Sequence, residues 1–143
     1  MAREAQLELL SRYESIELAD RVLSEVCSSS GVGDEIFYWA SMALREALAN
    51  AIKHGNKLSP DKRVFVSMQV APEGVLQIAV EDEGEGFDPA CLADPTAPQN
   101  LLRDCGRGVF YMRSFMDEVR FAPGERGGTR LELTKKVPTG RMQ

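Results

Sequence analysis

Two stretches near the N-terminus repeat apolar residues every three or four positions. A helix has 3.6 residues per turn, so this spacing places the apolar side chains on one side and predicts an amphipathic helix. The first helix is predicted over residues 15–28, and the second from Asp34, a suitable N-cap, to residues 54–56. The apolar positions are Leu18, Ala19, Val22, Leu23 and Val26 in the first helix and Phe37, Ala40, Leu44, Ala47, Leu48 and Ala51 in the second.

The apolar period changes to two in the next part of the chain, which predicts β-strands. Residues 64–70 and 76–80 alternate in this way, and Pro72-Glu73-Gly74 between them is typical of a hairpin turn. Residues 118–121 and 130–136 predict two further strands joined by a turn over 123–128, and residues 106–116 are compatible with a helix. Residues 5–11 are compatible with either an edge strand or a lead-in segment.

Residues 82–105 contain two glycines and three prolines and keep no regular period. A connection of this length in a compact domain is typical of a lid or a binding loop. Helices precede most of the strands, which favours an α+β fold: a two-layer sandwich with helices packed on one face of a mixed, largely antiparallel sheet. A single domain is expected over residues 1–143.

The composition narrows the class of protein. The 17 Lys and Arg residues against 22 Asp and Glu residues give a net charge of −5, so direct binding to nucleic acid or to an anionic membrane is not expected. The three cysteines form no C-x-x-C pair, which predicts neither a disulfide framework nor a zinc site. No apolar window is long enough to cross a bilayer, and a cytoplasmic location is expected.

The first group of candidate functional residues is Glu46-x-x-x-Asn50 on the second predicted helix. Residues four apart lie above one another, so Glu46, Asn50 and His54 form a row beside the apolar stripe. The pair combines a carboxylate that can accept a proton with an amide oxygen that can bind a hard cation. Because E-x-x-x-N is a common pattern, a solvated polar flank is the alternative interpretation.

The second group is the run Glu-Asp-Glu-Gly-Glu-Gly at residues 81–86, directly after a predicted strand. Asp82 can accept a hydrogen bond from an exocyclic amine, while Gly84 and Gly86 can adopt positive φ and leave room for a flat ring. The acidic residues would repel a polyphosphate, and the sequence has neither G-x-G-x-x-G spacing nor a Walker lysine. An acidic glycine-rich turn is the alternative.

Two glycine-containing groups complete the set of candidates. Gly106-Arg107-Gly108 opens the third predicted helix, where free backbone N–H groups bind anions and Arg107 adds charged donors. Gly127-Gly128-Thr129 enters the last predicted strand and can place a small hydroxyl against a ligand. A plain loop-to-helix junction explains the first group equally well, and a tight turn explains the second.

In their order along the chain, these groups resemble the Bergerat-type ATP-binding superfamily of gyrase B, Hsp90 and histidine kinases, and most closely its anti-sigma serine/threonine-kinase branch. The resemblance runs from about residue 7 to residue 137. It is carried by residues 45–56 (REALANAIKHGN), 80–89 (VEDEGEGFDP) and 106–119 (GRGVFYMRSFMDEV). Unlike the histidine kinases, the chain has no separate helix bearing a phosphoacceptor histidine, and a core or flank role is expected for His54.

The resemblance implies a role for each candidate residue. Glu46 is then the general base, Asn50 a ligand of Mg²⁺, and Asp82 the acceptor for the adenine amine of ATP. Residues 82–108 are then the ATP lid. The other implied contacts are Gly84 and Gly86 in the pocket wall, Gly106, Arg107 and Gly108 at the phosphates, and Thr129 near the adenine.

The resemblance also implies a function. A kinase of this branch uses ATP and Mg²⁺ to phosphorylate a serine or threonine of an anti-anti-sigma-type regulator, and it sequesters a sigma factor in a partner-switching pathway. A homodimer is implied as well, with the N-terminal segment as a candidate contact. Two alternatives stay open: a module that holds ATP and sequesters a partner without phosphoryl transfer, and an ATP hydrolase in which Glu46 activates water.

Overall fold

The helices and strands follow the two apolar periods of the sequence. A computed structural model describes residues 3–84 and 104–138, with the backbone alone for residues 104–107. The strands are β1 (Glu4–Leu10), β2 (Arg63–Ala71), β3 (Val75–Glu81), β4 (Glu118–Pro123) and β5 (Thr129–Lys136). The helices are α1 (Glu14–Ser29), α2 (Asp34–Asn50) and α3 (Asp104–Phe115), and a π-helical turn (Ala51–Gly55) continues α2.

Within these residues the strands form one sheet in the order β1-β2-β3-β5-β4. All four neighbouring pairs are antiparallel, and β5 lies between β3 and β4, which run in the same direction. Leu7, Val66, Val80 and Leu131 occupy one row across four strands. The α+β prediction is confirmed, and the described sheet is antiparallel throughout rather than mixed.

The helices cover one face of the sheet, and the apolar core lies between the two layers. The largest fully buried side chains of the core are Leu23, Val26, Leu44, Leu48, Ile52, Val64, Met68, Leu76, Ile78, Val80, Met112 and Leu133. The other face carries polar side chains such as Ser67, Gln69, Gln77 and Thr134, as expected when alternate strand residues point to opposite sides. The first strand, β1, pairs with β2 along its whole length and forms one edge of the sheet, so the edge-strand alternative for residues 5–11 is correct.

Two helix boundaries differ from those predicted. The third helix begins at Asp104 rather than at residue 106, and an acidic residue in a first turn suits the positive end of the helix dipole. The last turn of the second predicted helix is π-helical, over Ala51–Gly55. In the parts of the chain that the structure describes, no helix combines the length and apolarity needed to cross a bilayer.

Candidate functional site

The site begins at the π-helical turn that ends α2. Its wider spacing is visible in the bond from the backbone N–H of Asn56 to the carbonyl of Ala51, five residues earlier, at 2.8 Å. The turn brings Gly55 against Asp82, so that a β-carbon at residue 55 would overlap the carboxylate of Asp82. Only glycine leaves room for this approach.

Asn56 fastens the π-helical turn to the sheet. Its side chain is fully buried, and its Nδ2 donates to Ser11 Oγ at 2.8 Å and to the carbonyl of Arg63 at 2.9 Å. Its Oδ1 accepts the backbone N–H of Glu83 at 2.8 Å. These bonds connect the end of the helix to β2 and to the segment that follows β3. The sequence indicated Asn56 only as part of a helix stop, since two of its three partners, Ser11 and Glu83, are 45 and 27 residues away.

Asp82 directly follows β3 and is only 6% exposed. Its Oδ1 accepts the backbone N–H of Gly84 at 2.9 Å and that of Thr129 at 3.2 Å. Its own backbone N–H donates to the carbonyl of Thr129 at 3.0 Å. Burial raises the pKa of Asp82, while the two backbone N–H groups act against that rise. Because both donors bind Oδ1, Oδ2 is the oxygen left, among the described residues, to accept from a ligand.

Glycines surround Asp82 on several sides. A β-carbon at Gly128 would overlap the carbonyl oxygen and Oδ1 of Asp82, and one at Gly84 would overlap the carbonyl oxygen of Gly55. Together with Gly55, these residues let three backbone segments approach one carboxylate. The structure therefore brings Asp82, Gly84 and Thr129 together, and their place in a ligand pocket stays a prediction.

The second half of the site lies on α2, where Glu46 and Asn50 are nine and five residues before Gly55. Glu46 and Asn50 are one turn apart and half-buried, and Gly108, in the first turns of α3, packs against both. A β-carbon at residue 108 would lie 2.9 Å from Nδ2 of Asn50 and would overlap Oε2 of Glu46. Glu46 and Asn50 are therefore not fully solvated, because another helix packs against them, and their roles as base and metal ligand stay predictions.

The remaining predicted residues have different outcomes. His54 is exposed, so a core role for it is wrong and the flank role is correct. Gly106 and Arg107 lie in the first turn of α3, within the residues for which only the backbone is described. Gly86 and most of the predicted lid, residues 82–108, lie outside the described residues, so their roles stay predictions.

A magnesium ion would have to share this site with a nucleotide. No cluster of three or more His, Cys, Asp or Glu side chains occurs in residues 3–84 and 104–138, so the described chain has no cage built wholly of such ligands. Mg²⁺ in phosphate-transfer sites commonly takes one or two protein oxygens, several waters and the substrate phosphates. The amide of Asn50 beside the carboxylate of Glu46, with a glycine opposite, fits this mode of binding.

Comparison with known proteins identifies the family. The profile of the histidine kinase-like ATPase domain matches residues 9–135. An anti-sigma F factor from Heyndrickxia coagulans is 32% identical over 141 residues, which cover 96% of this chain and 95% of the relative. A serine-protein kinase RsbW from Listeria innocua is 27% identical over 137 residues, which cover 92% of this chain and 85% of the relative.

Solved structures agree with this identification at the level of the fold. The RsbU and RsbW domains of a Mycobacterium tuberculosis protein superpose with a TM-score of 0.68 at 18% identity, over 94% of this chain and 32% of that one. A blue-light activated histidine kinase from Erythrobacter litoralis superposes with a TM-score of 0.59 at 19% identity, over 78% of this chain and 34% of that one. From the profile match over most of its length and the arrangement of Glu46, Asn50 and Asp82, this chain belongs to the histidine kinase-like ATPase domain family.

Proposed function

We propose that this chain is an ATP- and Mg²⁺-dependent serine/threonine-protein kinase of the anti-sigma-factor type. It phosphorylates an anti-anti-sigma-type regulator and sequesters a sigma factor in a partner-switching pathway. The observation that carries the proposal is the placement of Glu46 and Asn50 on one helix face with Gly108 packed against both. The names of the relatives, an anti-sigma F factor and a serine-protein kinase RsbW, support the choice of partners.

The adenine of ATP binds at Asp82 in this proposal. Oδ1 is held by the backbone of Gly84 and Thr129, so the carboxylate has a defined orientation before ligand arrives. Oδ2 then accepts the exocyclic amine of adenine. Gly84 and Gly86 leave room for the flat ring, and Thr129 lies beside it. Guanine would present a carbonyl oxygen to the same carboxylate, and two acceptors cannot bond to each other.

The phosphates bind between α2 and the first turn of α3. Backbone N–H groups at a helix N-terminus point toward an anion, and Gly106 and Gly108 let the phosphates approach them closely. Arg107 adds a charged contact to the same group. Asn50 holds Mg²⁺, which neutralises charge on the phosphates when it is bound.

Glu46 acts as the general base. The hydroxyl oxygen of the partner's serine or threonine attacks the γ-phosphorus of ATP, the bond from that phosphorus to the β–γ bridging oxygen breaks, and ADP leaves. The carboxylate of Glu46 accepts the hydroxyl proton during the transfer.

Phosphorylation then separates the two proteins by charge. A phosphoserine carries up to about two negative charges at neutral pH, and this chain has a net charge of −5. The unmodified regulator binds and displaces the sigma factor, whereas the phosphorylated regulator is repelled. The pathway operates in the cytoplasm. We place a homodimer contact at the N-terminal segment, because β1 is an edge strand that can add a second copy.

The proposal is tested by incubating the chain with Mg²⁺, γ-labelled ATP and a candidate anti-anti-sigma protein. We expect label on a serine or threonine of the partner, and transfer about a hundredfold slower or more when Glu46→Gln replaces the parental chain. Nucleotide binding without any transfer would make the ATP-holding module the correct account. Release of labelled phosphate without labelled partner would identify an ATP hydrolase.

A further inference from the structure

The residue before Asp82 is a second buried carboxylate. Glu81 is the last residue of β3 and is only 3% exposed. Successive strand residues point to opposite faces, so Glu81 lies on the open face of the sheet, in one row with Phe65 and Arg130. Burial of an ionised carboxylate is unfavourable unless charged or polar groups compensate it. The partners of Glu81 therefore indicate what this carboxylate is for.

Those partners are Arg130 on β5 and two residues of the turn between β4 and β5, which covers residues 124–128. Oε2 of Glu81 accepts the backbone N–H of Glu125 at 2.7 Å and that of Arg126 at 3.2 Å. The same oxygen lies 3.4 Å from Nη1 of Arg126, and Oε1 lies 3.6 Å from Nη1 of Arg130. Two guanidinium groups and two backbone donors compensate the charge.

Arg126 gives the turn a second attachment to the sheet. Its guanidinium carbon lies 3.7 Å from the centroid of the Phe65 ring, in cation–π geometry. The backbone N–H of Gly124 donates to the carbonyl of Gly128 at 2.8 Å and closes the turn. A β-carbon at Gly124 would lie 2.9 Å from Oε2 of Glu81, so the chain passes very close to the carboxylate.

The other end of this turn contacts Asp82. Gly128 packs against Asp82, and the N–H of Thr129 donates to Asp82 Oδ1 at 3.2 Å. Glu81 therefore binds the backbone of Glu125 and Arg126 in the turn, whereas Asp82 contacts Gly128 at its end and the Thr129 N–H just after it. The neighbouring carboxylates of Glu81 and Asp82 are thus connected through one closed turn.

We propose that Glu81 is a positioning residue for adenine recognition: it fixes the turn at residues 124–128 and thereby keeps the Thr129 N–H on Oδ1 of Asp82, leaving Oδ2 oriented toward the adenine amine. This inference rests on the proposed adenine site at Asp82. Glu81 itself touches no part of the nucleotide. Glu81 acts through Asp82, whose carboxylate contacts the adenine amine.

The expected consequence is a selective loss of the adenine-amine contact. Glu81→Gln puts an amide NH₂ where backbone N–H and guanidinium donors converge, so part of the turn's attachment is lost. We expect the affinity for ATP to fall about tenfold, the size of one charge-assisted hydrogen bond. Purine riboside triphosphate lacks the 6-amino group, so its affinity should change by less than about twofold.

Calorimetry with ATP and with purine riboside triphosphate, both with Mg²⁺, tests the proposal on the full chain. The matched control is Glu132→Gln, because Glu132 also pairs with Arg130, at 2.9 Å, but lies beyond Thr129 on β5. We expect the control to bind both nucleotides as the parental chain does. If Glu81→Gln does not fold, Arg126→Gln serves as the second variant, and the same selective loss is expected from it.

A double variant that combines Glu81→Gln with Asp82→Asn distinguishes the positioning role of Glu81 from the proposed adenine site at Asp82. If Glu81 acts through Asp82, Glu81→Gln in the Asp82→Asn background should reduce ATP affinity no further. Equal losses for the two nucleotides, or parental ATP binding by Glu81→Gln, would overturn the positioning role and leave the adenine site intact. Parental ATP binding by Asp82→Asn alone would overturn the adenine site, and the role of Glu81 with it.

Discussion

Gly108 of α3 is packed so closely against Glu46 of α2 that a β-carbon at residue 108 would overlap Oε2 of Glu46. The two residues are 62 positions apart in the sequence. Their contact places the start of one helix, a natural site for anions, beside the proposed general base. A small change at residue 108 should therefore affect phosphate binding and catalysis together.

Gly108→Ala should impair both nucleotide binding and phosphoryl transfer. The added methyl group forces Glu46 or α3 to move, and overpacking of this kind costs about 1 to 3 kcal/mol of stability. We expect ATP affinity and transfer rate each to fall at least about tenfold. Calorimetry and labelled-ATP assays measure the two effects. Gly33→Ala is the control, because Gly33 has a φ of −70° and open space around it. Parental ATP affinity and parental transfer rate in Gly108→Ala would contradict the close packing.

Replacing Glu46 and replacing Asn50 should have different effects on ATP binding and on phosphoryl transfer. Glu46→Gln keeps size and polarity but removes the base, so ATP binding should persist while transfer falls about a hundredfold or more. Asn50→Ala removes a metal ligand, so Mg²⁺-dependent ATP binding should weaken as well as transfer. Calorimetry with and without Mg²⁺, together with single-turnover transfer, separates the two patterns. Parental transfer by Glu46→Gln would exclude it as the base.

Asp82 should make stability depend on pH in a defined direction. Burial raises the pKa of Asp82 above its ordinary value of 3.8, so the folded state holds the proton more tightly than the unfolded state. Its contribution to stability is full below pH 3.8 and is lost as the pH rises through the raised pKa. Urea unfolding of the parental chain and of Asp82→Asn should show the stability of the parent falling, relative to the variant, across that range. A difference in stability between the two proteins that stays the same at every pH would contradict the raised pKa of Asp82.

Asn56→Ala should destabilise the fold more than a typical surface substitution. The change leaves the backbone N–H of Glu83 and the carbonyl of Arg63 without their buried partner, which costs about 2 to 3 kcal/mol. Denaturant unfolding measures this loss. Asn56→Asp is the informative comparison, because it keeps an acceptor for Glu83 but loses the donor to Arg63 and buries a charge, so it should be at least as unstable. Parental stability of Asn56→Ala would show that water replaces these bonds.

Much of the architecture was predictable from local periodicity. The period of 3.6 located α1 and α2, the period of 2 located β2 and β3, and glycine and proline marked the turns between them. These signals are local, because the burial of one face of an element repeats over a few residues. They predicted the α+β class and the motifs around Glu46 and Asp82. They placed the start of α3 two residues late and missed the π-helical turn at the end of α2.

The roles of the three consecutive acidic residues show where sequence reasoning ends. The run of residues 81–83 indicated a candidate ligand contact at Asp82 or an acidic turn, and it named no partner within the chain for any of the three. In the folded chain Glu81 binds the turn 44 and 45 residues away, Asp82 accepts from Thr129 47 residues away, and Glu83 accepts the N–H of Arg63 20 residues before it. Local pattern specifies which residues form a strand and which side each one faces. Which donors meet each carboxylate depends on strand register and on the packing of distant segments, so only the folded chain assigns adjacent, chemically similar residues to three different partners.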